Sequence, residues 1–264
     1  TYDFAQKPEY GGLMLAEQST SGKTVNRMLH INRHSEDLLS KLEAVRLLCR
    51  ESGCAQRYLT HDALNAIYQA TWQMAEETGG EQHERFLSYL HRIQDEDLTL
   101  GVAMTDGKGD RSKRPGDQAV IDAYVHITER NADGIVISGV KAIVTGGPYM
   151  HELLVMPCRT MRKEDADFAV CCALPIDAKG LTIISRPAGR PGEAEAAFSA
   201  KYGQSVAVCH FDQVFVPWDQ VFFAGESDYT EHLVTSYANH HRHSCIGARA
   251  GFGDLLIGAG ALMT

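Results

Sequence analysis

The sequence has no continuous apolar segment long enough to cross a membrane and no excess of positive charge. Its longest apolar stretches, GLTIISRPAG and DLLIGAGALM, are much shorter than the roughly 20 residues that a spanning helix needs. There are 25 Lys and Arg against 34 Asp and Glu, a net charge of −9, and an acidic surface repels a phosphate backbone. We therefore expect a protein that binds neither membranes nor nucleic acids.

The signatures of several large enzyme classes are also missing. GxSxG, GxxxxGK[ST], HExxH and CxxC do not occur, and no GxGxxG follows a strand. The seven cysteines, an odd number, argue against a disulfide framework, and no signal peptide opens the chain. These features predict a cytoplasmic protein. Because the chain starts without Met and stops inside an apolar, uncapped pattern, we expect it to be part of a longer polypeptide.

The pattern of apolar and β-branched residues divides the chain into three regions. Residues 1–98 show apolar residues at helical spacing, and three helices are expected there. The first covers 35–52 with a cap near Ser35, the second runs from Thr60 as N-cap to a stop at Gly79, and the third covers 81–97. Residues 99–217 carry short β-branched segments, including a hairpin at NADG in which Gly134 is expected to take a positive φ. Residues 218–264 become helical again from about Tyr229. This order predicts an α+β protein with a middle β domain between two helical regions.

Two glycine-containing loops are candidates for contact with a cofactor. AMTDGKGDRSKRPGD, residues 103–117, places Lys108 and Arg111 beside glycines whose N–H groups can cradle a phosphate or a flavin edge. VKAIVTGGPYMHE, residues 140–152, places the Thr145 hydroxyl and two glycines at a strand end, where the backbone can approach a ring closely. On composition alone, the first segment fits an ordinary solvated loop equally well, and the second fits an ordinary hairpin turn slightly better.

The segment NHHRHSCIGARAG, residues 239–251, gathers three histidines and a cysteine. On a helix His240 and His243 share one face, and His241 and Cys245 share another. His241 and Cys245 are two metal ligands at most, whereas a closed zinc site needs four. We therefore prefer proton transfer by His241, and we expect His240 and His243 at the solvent or at an interface. Gly247 and Gly251, four residues apart, predict close helix packing.

Four motifs in one order resemble the flavoprotein family of 4-hydroxybutyryl-CoA dehydratase and 4-hydroxyphenylacetate 3-hydroxylase. They are AMTDGKGDRSKRP, DGIVISGVKAIVTGG followed by HE, FDQVFVPWDQVF, and YANHHRHS. The resemblance covers nearly the whole chain and leans towards the dehydratase branch. It implies an acyl-CoA dehydrogenase-like fold, with an N-terminal helical domain, a middle β-barrel and the start of a C-terminal helical bundle that builds a homotetramer.

The resemblance also implies an FAD site and catalytic groups. The catalytic positions carried over are His241, Thr145 and Arg249. The positions carried over as FAD contacts lie in the two glycine-containing loops and are Met104, Thr105, Asp106, Lys108, Gly109, Asp110, Arg111, Ala142, Val144 and Thr145. In the hydroxylase branch, the residues that hold a phenol fall near Leu59, Ala63 and Val102, none of which can do so.

The dehydratase branch holds a [4Fe–4S] cluster with three cysteines and one histidine, and this chain departs from that set. Cys54 and His241 match the first cysteine and the histidine, but the other two cysteines fall on Tyr58 and Ala248. A cluster held by a single thiolate is not expected, because such clusters are bound by several cysteine thiolates. We therefore predict FAD without an iron–sulfur cluster, and Cys54 and His241 remain only weak metal candidates.

Three functions fit these observations. The first is a two-component monooxygenase that receives reduced flavin from a separate reductase. The second is a 4-hydroxybutyryl-CoA dehydratase-like or vinylacetyl-CoA isomerase-like enzyme acting on an acyl-CoA, with His241 as the base. The third is a non-catalytic subunit of such an enzyme. The sequence favours the first function.

Overall fold

The computed structural model describes residues 2–18, 20–53, 57–107, 109–186 and 203–263. The helices are α1 Tyr2–Ala5, α2 Pro8–Met14, α3 Ser35–Ser52, α4 Tyr58–Thr78, α5 Gln82–Asp95 and α6 Thr230–Met263. The strands are β1 Leu15–Gln18, β2 Lys23–Asn26, β3 Leu100–Ala103, β4 His126–Arg130, β5 Gly134–Thr145, β6 Glu152–Val155, β7 Val170–Pro175, β8 Leu181–Arg186, β9 Val206–Pro217 and β10 Val221–Ala224. The predicted order of helices, strands and helices is confirmed, except that the first region also contains the antiparallel pair of β1 and β2.

Local signals locate the helix ends with one clear exception. Helix α3 has the predicted bounds, and the residue before it, His34, is its N-cap. Helix α4 ends at Gly79, which takes the left-handed conformation with φ 69° that a C-terminal glycine permits. The prediction that Thr60 caps α4 is wrong, because the helix begins at Tyr58. The Thr60 hydroxyl instead donates a hydrogen bond to the carbonyl of Leu100, 2.7 Å away, and so ties α4 to strand β3.

The β region consists of two four-stranded sheets. One sheet has the order β10-β7-β6-β3, and the other has the order β4-β5-β9-β8. Within the described ranges neither sheet closes on itself, so the expected barrel is corrected to two separate sheets packed face to face. The long strands β5 and β9 pair over most of their length, and register shifts in β5 bend it near residues 138 and 142.

Strand β7 separates the two main hydrophobic cores. Cys171 packs with helical residues such as Ile67 and Phe86, whereas Cys172 packs between the two sheets with Val155 and others. Adjacent residues of a strand point to opposite faces, and the two cysteines therefore reach different cores. The first sheet is therefore covered by α4 and α5 on one face and by the second sheet on the other.

The hairpin at NADG forms as predicted, but its glycine has a different role. Strands β4 and β5 pair on either side of it, and the Asn131 side chain accepts hydrogen bonds from the backbone N–H groups of Asp133 and Gly134. Gly134 does not have a positive φ, so that expectation is wrong. A Cβ at Gly134 would lie 2.1 Å from the carbonyl oxygen of Val216, and close approach to β9 therefore explains the glycine.

Helix α6 packs tightly on α3, as its glycines predict. A Cβ at Gly247 would lie 2.7 Å from the Leu42 carbonyl oxygen, and one at Gly251 would lie 2.3 Å from that of Arg46. By length and composition alone, the segment Ser227–Met263 could cross a membrane, because an 18-residue window within it has a mean hydropathy of 1.3, and 11% of that window is buried. The sequence prediction missed this because its individual apolar runs are short. The same helix also packs against α3 and α4, as a helix in a protein core does.

Candidate functional site

A cavity of about 930 Å³ lies between the β region, the start of α4 and one face of α6. Its size is near the upper end of small-molecule sites. Predicted site residues from three separate parts of the sequence line it: Met104, Thr105, Thr145, His241 and Arg249. The structure therefore brings together both cofactor-loop candidates and the histidine segment.

The Met104–Asp106 strand end is held in place beneath the cavity by a buried lysine. Lys141, which is 1% exposed, donates hydrogen bonds to the carbonyls of Met104 and Met156 and forms an ion pair with Asp106 at 2.7 Å. The backbone N–H of Ala142 donates to the carbonyl of Thr105 at 2.7 Å. These bonds fix the edge at which Met104 and Thr105 face the cavity.

The other residues carried over as FAD contacts have different surroundings. Asp106 is buried in its ion pair, and Val144 is fully buried in the core between the sheets. Gly109, Asp110 and Arg111 are exposed and lie outside the cavity lining. Hydrogen bonds from Ser112 lower the pKa of Asp110, so this carboxylate is engaged within its own loop. Lys108 lies outside the described residues.

Ile143 lines the cavity in a conformation that is unusual for its residue type. Its φ is 58°, in the left-handed region, and it sits where the register of β5 and β9 shifts between Lys141 and Val144. A β-branched side chain is strained there. The bulge turns the side chain of Ile143, which is 58% exposed, towards the cavity. The sequence showed this residue only as one more apolar position in a strand.

His241 stands between two tyrosine rings on the α6 side of the cavity. Its ring stacks on Tyr237 at a centroid distance of 5.6 Å and an angle of 7°, and on Tyr58 at 6.0 Å and 21°. Tyr237, His241 and Cys245 follow each other at four-residue intervals and so form one stripe of the helix. This stacking fixes the plane of the imidazole and leaves its nitrogens at the ring edge for polar partners.

A buried carboxylate lies next to His241, on the side away from Cys245. The Nδ1 atom of His241 lies 3.4 Å from Oδ2 of Asp62, whose side chain is fully buried; this is ion-pair distance, and neither atom makes a hydrogen bond among the described residues. The other oxygen of Asp62 accepts hydrogen bonds from Lys41 Nζ at 3.2 Å and from Ser244 Oγ at 2.5 Å. Lys41 is also fully buried, and burial lowers its pKa. Sequence reasoning missed Asp62 and Lys41, because each reads as an ordinary polar residue on a helix.

The second nitrogen of His241 faces a thiol. Cys245 Sγ lies 3.6 Å from His241 Nε2, which confirms the predicted shared face, and the Tyr58 hydroxyl lies 3.9 Å from the same sulfur. Burial, followed by the nearby Cys245, raises the pKa of Tyr58 above its ordinary value. Asp62, His241 and Cys245 thus form a continuous chain from a buried carboxylate to the cavity.

The positions expected for cluster ligands fall mainly on the cavity wall. Tyr58, His241 and Ala248 all line the cavity, while Cys54 lies outside the described residues. Among the residues that the structure describes, no three His, Cys, Asp or Glu side chains come together as a metal site. The described donors that line the cavity are the imidazole of His241, the phenol of Tyr58 and the thiols of Cys49 and Cys245, and neither thiol stands at a position expected for a cluster ligand.

His240 and His243 lie on the opposite side of α6 and are only partly exposed to solvent, while the alternative expectation of an interface stays a prediction. Both are half-buried against α3 and α4 inside the same chain and line a smaller pocket with Leu38 and Gln69. The Nε2 atom of His243 lies 3.0 Å from the Leu38 carbonyl oxygen. Burial, followed by the nearby Lys41, lowers the pKa of His240 to about 4.

Residues 1–223 match the protein family described as 4-hydroxyphenylacetate 3-hydroxylase, N terminal. The chain is 37% identical to the 4-hydroxybutyryl-CoA dehydratase/vinylacetyl-CoA-Delta-isomerase of Clostridium aminobutyricum, over 99% of this chain and 55% of that protein. It is 26% identical to the 4-hydroxyphenylacetate 3-monooxygenase oxygenase component of Thermus thermophilus, over 99% of this chain and 54% of that one. The chain thus spans about half the length of these relatives.

Solved structures show the same fold. A 4-hydroxybutyryl-CoA dehydratase from N. maritimus, described as oxygen tolerant, matches with a TM-score of 0.93 and 37% identity, over 99% of this chain and 53% of the other. The oxygenase component of 4-hydroxyphenylacetate 3-monooxygenase complexed with FAD matches with a TM-score of 0.82 and 24% identity, over 99% and 55%. An acyl-CoA dehydrogenase-like protein from M. smegmatis matches with a TM-score of 0.56 and 13% identity, over 95% of this chain and 57% of the other. The acyl-CoA dehydrogenase-like fold is confirmed.

Proposed function

Because the chain belongs to the 4-hydroxyphenylacetate 3-hydroxylase family, we propose that it is an FAD-dependent enzyme that works without an iron–sulfur cluster. The observation that carries this proposal is the wall of the cavity, where Tyr58 and Ala248 flank His241. In this arrangement the edge formed by Met104, Thr105 and Thr145 holds the flavin, and His241 faces the substrate. FAD supplies the redox chemistry when it is bound.

The protein's own residues provide orientation and proton transfer. With the proton of His241 on Nδ1, facing Asp62, the Nε2 atom beside Cys245 can accept a proton at the cavity side. Leu59 and Val102 give the substrate an apolar surface, while Arg249 offers a cation for a carbonyl or carboxylate oxygen. Stacking by the two tyrosines keeps the base in position and excludes water from one side.

The finer assignment that we propose is a monooxygenase that uses reduced flavin from a separate reductase. The family includes oxygenase components, such as that of Thermus thermophilus, and this chemistry does not need a cluster. Leu59 and Val102 cannot form ion pairs with a phenolate, so the substrate is bound mainly through apolar contacts. We also propose that the chain forms a homotetramer. Such an assembly would cover the apolar side chains of Ile246, Leu256 and Ile257, which are between 62% and 74% exposed.

A second candidate is double-bond isomerisation of an acyl-CoA, and a specific observation favours it. Identity to the dehydratase/isomerase is 37%, against 26% for the oxygenase component. Isomerisation needs only removal of a proton and its return at another carbon, for which His241 suffices. Loss of a hydroxyl from an unactivated carbon would call for a Lewis acid, which this donor set does not hold.

The deciding experiment is an absorption spectrum with iron and sulfide analysis of anaerobically purified protein, followed by titration with FAD. We expect FAD binding and no stoichiometric iron. Oxygen uptake with photoreduced FAD and a panel of aromatic substrates then tests the monooxygenase, and proton exchange in crotonyl-CoA tests the isomerase. Roughly four iron atoms per subunit would overturn the cluster-free proposal. Absence of FAD binding would overturn the flavin site.

A further inference from the structure

Cys245 has no assigned role in the proposed function, yet it occupies a central place in the cavity wall. It lies between the ring edge of His241 and the hydroxyl of Tyr58, and it is half-buried rather than enclosed. Of the six free cysteines that the structure describes, four are buried, and only Cys158 and Cys245 are partly accessible. Any soft electrophile entering the cavity therefore meets this thiol.

The surroundings of Cys245 place a base beside its thiol. Its sulfur is 3.6 Å from His241 Nε2, and the opposite nitrogen of the same ring is 3.4 Å from the buried Asp62 carboxylate. In this sequence of thiol, imidazole and carboxylate, the histidine takes the thiol proton and the carboxylate stabilises the resulting imidazolium. Lys41 and Ser244 hold Asp62 in its orientation through its other oxygen.

We propose that Asp62, His241 and Cys245 form a nucleophilic thiol site that captures α,β-unsaturated carbonyl compounds in the cavity. The thiol proton moves to His241 Nε2 as the sulfur bonds to the β-carbon. The electron pair of the carbon–carbon double bond shifts to the α-carbon and carbonyl, giving an enolate. The imidazolium then returns the proton to the α-carbon. The product is a thioether, and no oxidant or reductant is consumed.

The remainder of the cavity suits such a ligand. Arg249 can receive the carbonyl oxygen on which negative charge develops, and Phe252 and Leu256 offer apolar surface to the adjoining carbon chain. This site does not require flavin. The two proposals share His241, its contact with Asp62, Arg249 and the cavity itself, whereas the bond formed at Cys245 belongs only to the thiol site.

The test measures the rate at which N-ethylmaleimide, itself an α,β-unsaturated carbonyl compound, alkylates the folded, flavin-free protein. Peptide mass spectrometry after digestion gives this rate for each cysteine separately. Cys158 is the internal reference, because burial and the nearby Asp106 raise its pKa to about 11. We expect Cys245 to react at least about tenfold faster than Cys158 near neutral pH. Peptide resolution also keeps the result separate from Cys54, which lies outside the described residues.

Two matched variants locate the cause. His241→Asn is expected to slow alkylation of Cys245 by about tenfold or more, while His240→Asn, on the other side of the same helix, leaves it unchanged. Equal rates for Cys245 and Cys158, or an unchanged rate in His241→Asn, would overturn the proposal. The comparison of Cys245 with Cys158 in the unaltered protein needs no variant to fold. Because the assay contains no flavin, its failure is distinct from failure of the proposed function.

Discussion

Asp62 and His241 meet through one pair of atoms, Oδ2 and Nδ1, at 3.4 Å, while the other carboxylate oxygen binds Lys41. The same carboxylate therefore connects three helices, α3, α4 and α6, and orients the only histidine that lines the large cavity among the described residues. Stability and the geometry of the site depend on a single buried group.

The first prediction concerns Asp62→Asn. The change leaves Lys41 buried without a counter-ion, so we expect the free energy of unfolding to fall by about 3–5 kcal/mol. Urea denaturation measures it. The matched control is Asp95→Asn, which breaks the exposed pair of Asp95 with Lys23 and is expected to cost about 0–1 kcal/mol. Equal losses in unfolding free energy would show that the buried pair contributes no more to stability than the exposed pair.

The second prediction compares two glycines of α6. In Gly251→Ala the new methyl would lie 2.3 Å from the carbonyl oxygen of Arg46, so α3 and α6 must separate and we expect a loss of about 1–3 kcal/mol. A Cβ at Gly253 would have nothing within 4 Å, and Gly253→Ala is expected to stabilise by about 0.5–1 kcal/mol. Thermal melts followed by circular dichroism report both, and changes of the same sign would contradict the close packing.

The third prediction follows from the low pKa of His240, about 4. The unfolded chain takes up a proton on this ring at the ordinary histidine pKa near 6.5, well before the folded protein does. The stability that the neutral ring contributes is therefore complete above about pH 6.5 and is lost as pH falls towards 4.

Replacement of His240 by Asn removes this dependence. The unfolding free energy of the variant should rise relative to that of the unaltered protein as the pH is lowered through that window, in parallel urea titrations. His232→Asn, an exposed histidine of the same helix, controls for the loss of any histidine. A constant difference between His240→Asn and the unaltered protein at all pH values would argue against the burial of this ring.

The fourth prediction uses the strained conformation of Ile143. Asn tolerates the left-handed region far better than a β-branched residue, so Ile143→Asn is expected to stabilise the protein by roughly 1 kcal/mol. FAD affinity should fall in the same variant, because the apolar wall is lost. Ile184 is similarly exposed, at 62%, but lies in strand β8 without a positive φ. Ile184→Asn should therefore destabilise, since Asn is a poor strand former.

Sequence reasoning located most elements of the fold because their signals are local. The stripe of α3, the glycine after α4 and the hairpin at NADG each depend on neighbouring residues. The errors arose where a distant strand decides the conformation. Thr60 bonds to Leu100 instead of capping a helix, and Gly134 is required by the backbone of β9.

For the site, the sequence predicted the cavity residues that belong to recognisable motifs, including Met104, Thr145 and His241. It did not predict Asp62, because the environment of a buried carboxylate depends on Lys41 and Ser244 from two other helices. The four-residue interval from Tyr237 to His241 was a usable signal for the aromatic partner. Nothing in the local sequence marked the bulge at Ile143.

Strand β7 has a consequence for how the molecule unfolds. Its two cysteines belong to different cores, one shared with the helices and one lying between the sheets, so neither core can dissolve without exposing a face of the same strand. We therefore expect that the boundary predicted near residue 98 does not separate independent folding units. Calorimetry should record a single cooperative transition, with equal calorimetric and van't Hoff enthalpies.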